Sequence, residues 1–374
     1  MDRRKVLMGA GGLAGAMIAA PMVARAAAAA APQAPAVRTG PRNLITDVAG
    51  LSVGCAQDPK VRTGVTVILA DRLSTAAVDV RGGGPGTRET DALEAYNLVH
   101  SANAIVLSGG SVYGLASADG VAAELGAKGI GYGSMAHNDA PVSPIVPTAI
   151  LYDLANGGDK KWGTSPPYRA LGAAALAAAG PSFALGTSGA GYGAMSGGLK
   201  GGLGSASCVT SDGATVGAIV AVNSMGSTVV PGSKQFWAAP FEIGDEFGGA
   251  LPSTRRVGPE EWGYTKAPAA RQNTTIACIA TDLDLTASEL KRVVMMAQDG
   301  MARAIRPIHT PFDGDVVFAI ATARRPVEGM REIAVLRAGA AAADTLSRAI
   351  ARGVFTASSP PGAEVMTFAA LKAG

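Results

Sequence analysis

The chain has 374 residues, of which 16% are charged and 5% are aromatic, and its formal net charge is +3. A chain of this length can bury a sizeable hydrophobic core, in one large domain or in two modest ones. The small net charge and the lack of a Lys/Arg block in the body of the chain argue against nucleic acid or an anionic membrane as a partner.

The N-terminus has the pattern of an export signal. Arg3 and Arg4 precede an apolar stretch over residues 6–20, and the segment Val-Ala-Arg-Ala follows and ends at Ala26. This arrangement predicts a twin-arginine signal over residues 1–26 with an Ala-x-Ala cleavage site. A membrane anchor is the alternative, but it would need an apolar span of about 20 residues. We therefore expect a periplasmic or secreted protein that has no membrane contact once the signal is removed.

After the signal, an Ala/Pro-rich composition predicts a flexible tether over residues 27–43, and residues 44–374 are expected to form a single domain. In the first part of this domain, residues 65–70 and 104–107 read as buried strands. Residues 91–100 and 111–127 read as helices. Because strands and helices alternate, we expect a layered α/β or α+β fold.

The C-terminal third gives clearer signals. Residues 274–281 (TTIACIAT) and 316–323 read as core strands, and residues 332–352 as an Ala-rich helix. Thr286 and Glu289 form a capping-box pattern ahead of a helix expected over residues 287–305.

If the two strands that flank this helix run parallel, Thr274 and Asp315 begin at the same edge of the sheet. The segment 240–266 lacks either periodicity, so it is expected to be an exposed loop that leads to the Asn273-Thr274-Thr275 sequence.

Asn273-Thr274-Thr275, directly ahead of a buried strand, is the sharpest local feature. A hydroxyl group just after a peptide bond can attack that bond's carbonyl by an N-to-O shift, and water then hydrolyses the resulting ester. The released threonine carries its own base, because an α-amine has a pKa of about 7.7 to 8.0. The same three residues are also typical of an ordinary turn followed by a β-prone run.

Several segments taken together resemble the DmpA-type peptidase family, which comprises L-aminopeptidase/D-esterases, β-peptidyl aminopeptidases and nylon-oligomer hydrolases. The similarity extends over roughly residues 44–368. Its motifs are residues 79–86 (DVRGGGPG), 109–114 (GGSVYG), 145–154 (IVPTAILYDL), 186–207 (GTSGAGYGAMSGGLKGGLGSAS), 273–282 and 305–319 (IRPIHTPFDGDVVFA).

By this resemblance Asn273-Thr274 is an autocleavage bond and Thr274 is the catalytic nucleophile. Cleavage of this bond would split the domain into residues 44–273 (α-chain) and 274–374 (β-chain). Thr275 is the neighbouring alternative, but only the residue at the new terminus supplies an amine. Lys200 matches a lysine beside the nucleophile that would lower the pKa of the Thr274 amine, although a solvated loop lysine would look the same. Asn223 matches an oxyanion donor, with a turn-forming asparagine as the alternative.

Asp313 and Asp315 flank Gly314, so both carboxylates leave one tight turn and could orient the Thr274 ammonium and Lys200. A metal-binding turn is the alternative, but two carboxylates and His309 make a thin ligand set, and we predict no metal. Tyr152 is the best match to a substrate-binding tyrosine of the family, and Tyr168 is a weaker candidate.

The resemblance implies a four-layer αββα sandwich of the N-terminal-nucleophile hydrolase type. It implies a self-cleaved amidohydrolase that acts on short peptides or amides with a free amino terminus, bearing an α-, β- or ω-amino acyl group. The resemblance also implies that this enzyme needs no cofactor and forms a homo-oligomer of αβ heterodimers. The alternatives are an acyl transferase of the ornithine acetyltransferase kind and a catalytically idle periplasmic binding protein.

Overall fold

A computed structural model of the protein describes residues 37–133, 140–266 and 273–374. The predicted export signal therefore lies outside the described residues, as does the tether up to residue 36. The last residues of the predicted tether already contact the domain: the Arg38 carbonyl accepts a hydrogen bond from the Val209 N–H at 2.8 Å, and the Asn43 amide donates to Glu246 at 2.6 Å.

The strands of the described residues are β1 (Leu51–Asp58), β2 (Thr63–Val80), β3 (Thr87–Arg88), β4 (Ser101–Ser108), β5 (Thr148–Ile150), β6 (Met195–Ser196), β7 (Leu199–Lys200), β8 (Gly202–Val209), β9 (Thr215–Asn223), β10 (Thr274–Leu283) and β11 (Val316–Arg325). The α-helices are α1 (Ser117–Ala127), α2 (Tyr168–Ala177), α3 (Ala287–Ala304), α4 (Arg331–Phe355) and α5 (Phe368–Ala373). Short 3₁₀ helices cover Ile45–Asp47, Asp91–Leu93, Ser111–Ala116, Gly189–Gly191 and Ala239–Phe241.

The long strand β2 organises the sheet. Within the described residues the large sheet has nine strands: eight follow the order β3-β5-β4-β2-β11-β10-β9-β8, and the ninth, β1, pairs with β2. Strand β2 pairs with β1 over residues 63–70 and with β4 as far as Thr75, whereas its residues 75–80 pair with β11. The β2–β4 register shifts between Leu69 and Ser74, where β2 becomes exposed. One strand therefore belongs to two halves of a folded-over sheet.

Three buried clusters show that these halves are stacked between helices. The middle cluster joins side chains of the two sheet halves, such as Ile68 and Phe318. A second cluster packs the outer face of β8–β11 against α3 and α4, and a third packs β2 and β4 against α1 and α2. Strand β10 alternates as a strand must, with Cys278 in the middle cluster and Ile279 facing the helices. The predicted four-layer αββα sandwich is confirmed.

The C-terminal elements follow the sequence prediction closely. The Thr286 hydroxyl accepts the Glu289 N–H and the Glu289 carboxylate accepts the Thr286 N–H, which completes the predicted capping box of α3. Strands β10 and β11 are parallel, with Ile276 opposite Val316. Thr274 and Asp315 therefore begin at the same edge of the sheet, as predicted.

The prediction of a helix over residues 91–100 was wrong, because only a 3₁₀ turn over Asp91–Leu93 forms there. The Asn97 side chain donates to the Asp91 carbonyl, and such a bond competes with helical hydrogen bonding. Tyr96 and Leu98 remain 84% and 86% exposed, so burial of these two side chains does not stabilise a helix there.

The helix predicted over residues 111–127 is present in two parts, a 3₁₀ turn and then α1. Gly110 precedes it with a φ of 88°, a conformation that favours glycine. None of the described helices is long and apolar enough to span a membrane.

Candidate active site

Thr274 lies at the start of β10 and is buried. Its hydroxyl donates a hydrogen bond to the carbonyl oxygen of Asn273, the residue just before it. The same oxygen accepts the Gly314 N–H at 2.9 Å. The Asn273 carbonyl is therefore contacted by the hydroxyl that could attack it and by a donor that would stabilise negative charge on its oxygen.

The turn that carries Gly314 explains this alignment. Asn273 and Asp313 form a parallel bridge that extends the β10–β11 pairing by a few residues. A Cβ atom on Gly314 would lie 2.7 Å from the Thr274 hydroxyl oxygen and 2.7 Å from the Gly84 carbonyl oxygen. Glycine is thus required for the β11 turn to approach the hydroxyl this closely.

Asn223 is the direct cross-strand partner of Thr274 in the antiparallel β9–β10 pair. Side chains at such positions lie on the same face, with Cβ atoms about 4.5–5.5 Å apart. The Asn223 amide nitrogen donates to the Tyr152 carbonyl at 3.1 Å, and its amide oxygen accepts the Met195 N–H at 3.0 Å. The predicted oxyanion donor is therefore held in one orientation beside the candidate nucleophile.

Lys200 lies in the glycine-rich motif of residues 186–207 and is buried. Its ammonium donates to three backbone carbonyls. The acceptors are Gly191 at 3.0 Å, Ala194 at 2.9 Å and Gly201 at 2.8 Å. These bonds use all three N–H groups, so none of them goes to the Thr274 hydroxyl. Burial lowers the pKa of Lys200 to about 7, with the negative charge of Asp153 opposing the shift.

Asp313 and Asp315 are both fully buried and face different partners. Asp313 accepts the Thr310 hydroxyl at 2.6 Å and the Met225 N–H at 3.2 Å. Asp315 accepts the Thr275 N–H at 2.8 Å through one oxygen and His309 Nδ1 at 2.9 Å through the other. Burial raises the pKa of Asp313, and the negative charge of Asp315 raises it further. Asp315 thus clamps the start of β10, whereas Asp313 holds Thr310 and Met225.

A cavity of about 310 Å³ opens beside Asn273. Tyr152, Asn223 and Lys266 are among its lining residues, so the structure brings the predicted substrate-binding tyrosine to the same site. The weaker candidate Tyr168 does not line this cavity. It packs instead against Trp162 in the cluster under α1 and α2.

Sequence reasoning missed two charged residues of the cavity wall. Asp153 accepts the Thr63 hydroxyl at 2.7 Å and the Gly110 N–H at 2.8 Å, and burial raises its pKa. Lys266, at the end of the predicted exposed loop, donates through Nζ to the backbone and side-chain oxygens of Asn223, both at 3.1 Å. Asp153 could have been identified from the sequence because it directly follows Tyr152. Lys266 belongs to no regular sequence pattern and reaches the site only through folding of an irregular loop.

Lys266 is electrostatically coupled to this site. Burial lowers its pKa to about 7, the charge of Asp313 opposes the shift, and the charge of Lys200 adds to it.

Among residues 37–133, 140–266 and 273–374, no group of three His, Cys, Asp or Glu side chains could hold a metal ion.

Residues 43–367 match the family described as Peptidase family S58. An uncharacterized aminopeptidase of Mycobacterium tuberculosis is 42% identical over 337 residues, which covers 84% of this chain and 94% of the relative. A 6-aminohexanoate-oligomer endohydrolase of an Agromyces species is 30% identical over 309 residues, covering 77% of this chain and 78% of the relative.

Two solved structures share the fold. The L-aminopeptidase D-Ala-esterase/amidase of Ochrobactrum anthropi, described as a variant of the Ntn hydrolase fold, superposes with a TM-score of 0.66 at 22% identity, covering 90% of this chain and 94% of that one. A β-aminopeptidase of a Burkholderia species gives a TM-score of 0.65 at 23% identity, covering 91% and 95%.

Proposed function

The chain belongs to peptidase family S58 and is a peptidase or amidase, and we propose that it matures by breaking its own Asn273–Thr274 bond. The observation that carries this proposal is the contact between the Thr274 hydroxyl and the Asn273 carbonyl, whose oxygen also accepts the Gly314 N–H. A hydroxyl and an oxyanion donor on one carbonyl are two of the groups that an N-to-O acyl shift requires.

After cleavage, Thr274 would be an N-terminal nucleophile whose α-amine serves as the general base. Such an amine has a pKa of about 7.7 to 8.0, so a useful fraction is neutral at physiological pH. Substrate acylates the Thr274 hydroxyl and an amine leaves. Water, activated by the same α-amine, then hydrolyses the ester.

Asn223 is proposed to donate to the oxyanion of the substrate. It lies across from Thr274 in the β9–β10 register, and its amide is oriented by Tyr152 and Met195. An amide donor at a developing oxyanion contributes about 3 to 4 kcal/mol to barrier reduction in other enzymes.

The proposed substrates are short peptides or amides with a free amino terminus, bearing an α-, β- or ω-amino acyl group. Relatives named aminopeptidases and 6-aminohexanoate-oligomer endohydrolase support this class. The cavity of about 310 Å³ suits a small acyl group, with Tyr152 on its wall. Twin-arginine export and assembly into a homo-oligomer of αβ heterodimers remain predictions from the sequence.

The test is a denaturing gel of the purified protein with N-terminal sequencing of the smaller fragment. We expect a terminus that reads Thr-Thr-Ile-Ala, and release of p-nitroaniline from aminoacyl p-nitroanilides by the cleaved protein. Thr274→Ala should give one intact band and no hydrolysis, whereas Thr274→Ser keeps the hydroxyl and should cleave. An active preparation that consists of a single uncut chain would refute the proposal.

A further inference from the structure

Self-cleavage raises a chemical problem that the mature enzyme does not have. In the uncut chain the nitrogen of Thr274 is part of the Asn273–Thr274 amide, so it cannot act as a base. Another group must accept the hydroxyl proton when Thr274 attacks the Asn273 carbonyl. That group needs to be near the bond and able to exist unprotonated near neutral pH.

Most titratable groups around Thr274 are committed elsewhere. Asp313 and Asp315 accept hydrogen bonds from Thr310, Met225, Thr275 and His309. Lys200 directs its three N–H groups at three backbone carbonyls, so the lone pair of its neutral amine would face one of these carbonyls and not the Thr274 hydroxyl.

Lys266 is differently placed. Its Nζ lies 3.1 Å from the Asn223 side-chain oxygen, and Asn223 is the cross-strand neighbour of Thr274. Lys266 and Asn273 also line the same cavity, whose volume of about 310 Å³ has room for a bridging water; a water molecule occupies about 30 Å³ in the liquid. The Lys266 N–H donates to the Met225 carbonyl at 3.1 Å, which fixes the loop end at the site.

We propose that Lys266 is the general base of self-cleavage, an inference that rests on the proposed maturation of the chain. The neutral Lys266 amine takes the Thr274 hydroxyl proton, directly or through one water, as the Oγ–C bond to Asn273 forms. The oxyanion rests against the Gly314 N–H. The Lys266 ammonium then gives its proton to the Thr274 nitrogen as the C–N bond breaks.

The products of this step are an ester between Asn273 and the Thr274 hydroxyl and a free α-amine on Thr274. Water hydrolyses the ester to the Asn273 carboxylate. From then on the α-amine is the base, so Lys266 is needed for maturation more than for turnover. The lowered pKa of Lys266 fits this role, because burial makes the neutral amine accessible near pH 7.

The experiment follows self-cleavage of freshly made full-length chain on a gel at pH 8, for the parent, Lys266→Arg, Lys266→Ala and Lys234→Met. Arginine keeps the positive charge but does not deprotonate in proteins, so Lys266→Arg should cleave at least about 100-fold more slowly. Lys266→Ala should be equally slow and should be accelerated by added methylamine, which replaces the missing base. Lys234 is exposed on the surface, and Lys234→Met should cleave like the parent.

Cleavage of Lys266→Arg at the parent rate would overturn the proposal, because it would show that charge alone suffices. Lys266→Ala that stays uncut and does not respond to methylamine would overturn it as well. A parent chain that never breaks before Thr274 would instead refute the proposed function itself, so the two failures are distinguishable.

Discussion

Asp315 binds the backbone N–H of Thr275 at 2.8 Å, which ties the residue just before β11 to the residue after the proposed nucleophile. The second oxygen of the carboxylate accepts both the backbone N–H and the Nδ1 atom of His309, at 3.1 and 2.9 Å. Asp315 thus fixes the entry of β10 from the neighbouring strand, and with it the position of Thr274.

We expect Asp315→Asn to destabilise the protein and to slow self-cleavage. The amide has one acceptor oxygen where the carboxylate has two, and its NH₂ group would face a backbone donor. A buried donor left without a partner costs about 1–3 kcal/mol of unfolding free energy. Urea unfolding measures the loss in chains that also carry Thr274→Ala and so stay uncut, and a gel measures cleavage in chains that keep Thr274. Asp299→Asn, at an exposed position on α3, is the control and should change neither the stability nor the cleavage rate. An unaltered urea midpoint in Asp315→Asn would contradict the role of Asp315 in holding the start of β10.

Gly314→Ala should block self-cleavage. The new methyl group would lie 2.7 Å from the Thr274 hydroxyl oxygen, so either the hydroxyl or the turn that carries the Gly314 N–H must move. N-terminal sequencing and a cleavage time course test this expectation. Gly258→Ala is a matched control, because a Cβ there meets no atom within 4 Å. Normal cleavage of Gly314→Ala would show that the close approach to the hydroxyl is dispensable.

The sequence predicts best where the signals are local. Thr286 and Glu289 form their capping box within one helical turn, and the apolar run after Thr274 is a strand in any environment that buries it. The segment after Asp91 shows the limit of this reasoning. Its residues tolerate a helix, but the tertiary structure offers Tyr96 and Leu98 no surface to cover.

The candidate site divides in the same way. The pairing of Thr274 with the Asp313–Asp315 turn follows from a parallel strand–helix–strand unit and was predictable. The position of Lys266 was not, because it depends on where an irregular loop of the chain returns to β9. The three carbonyl acceptors of Lys200 could not be predicted either, because every residue has a backbone carbonyl and the sequence does not show which of them accept a hydrogen bond.

The rate of self-cleavage should rise with pH through about 7 and then level off. The pKa of Lys266 is about 7, so its neutral amine is scarce below that pH and predominant above it. The charged groups that act on Lys266 are Asp313, which raises its pKa, and Lys200, which lowers it; Asp153 and Tyr152 share its cavity wall. Gel time courses from pH 5.5 to 9 measure the profile. A rate that is flat across pH 7 would contradict the role of Lys266.

Lys200 should make the protein less stable near pH 7 than at higher pH. Its pKa is about 7 in the folded state and about 10.4 in an unfolded chain. Between these values the unfolded state binds more protons, so the free energy of unfolding rises with pH, by at most about 1.4 kcal/mol per pH unit for one proton. Below pH 7 the cost of charging the buried amine is fully present.

Lys200→Met removes this titration, and a comparison with the parent cancels the contribution of other groups that titrate in both proteins. The free energy of unfolding of the parent minus that of Lys200→Met should therefore increase between pH 7 and 8.5. Thr274→Ala in both backgrounds keeps the chains uncut, so that unfolding is compared between intact molecules. A difference that stays constant over this range would mean that the three carbonyl bonds hold Lys200 charged in the folded protein as firmly as water does in the unfolded one.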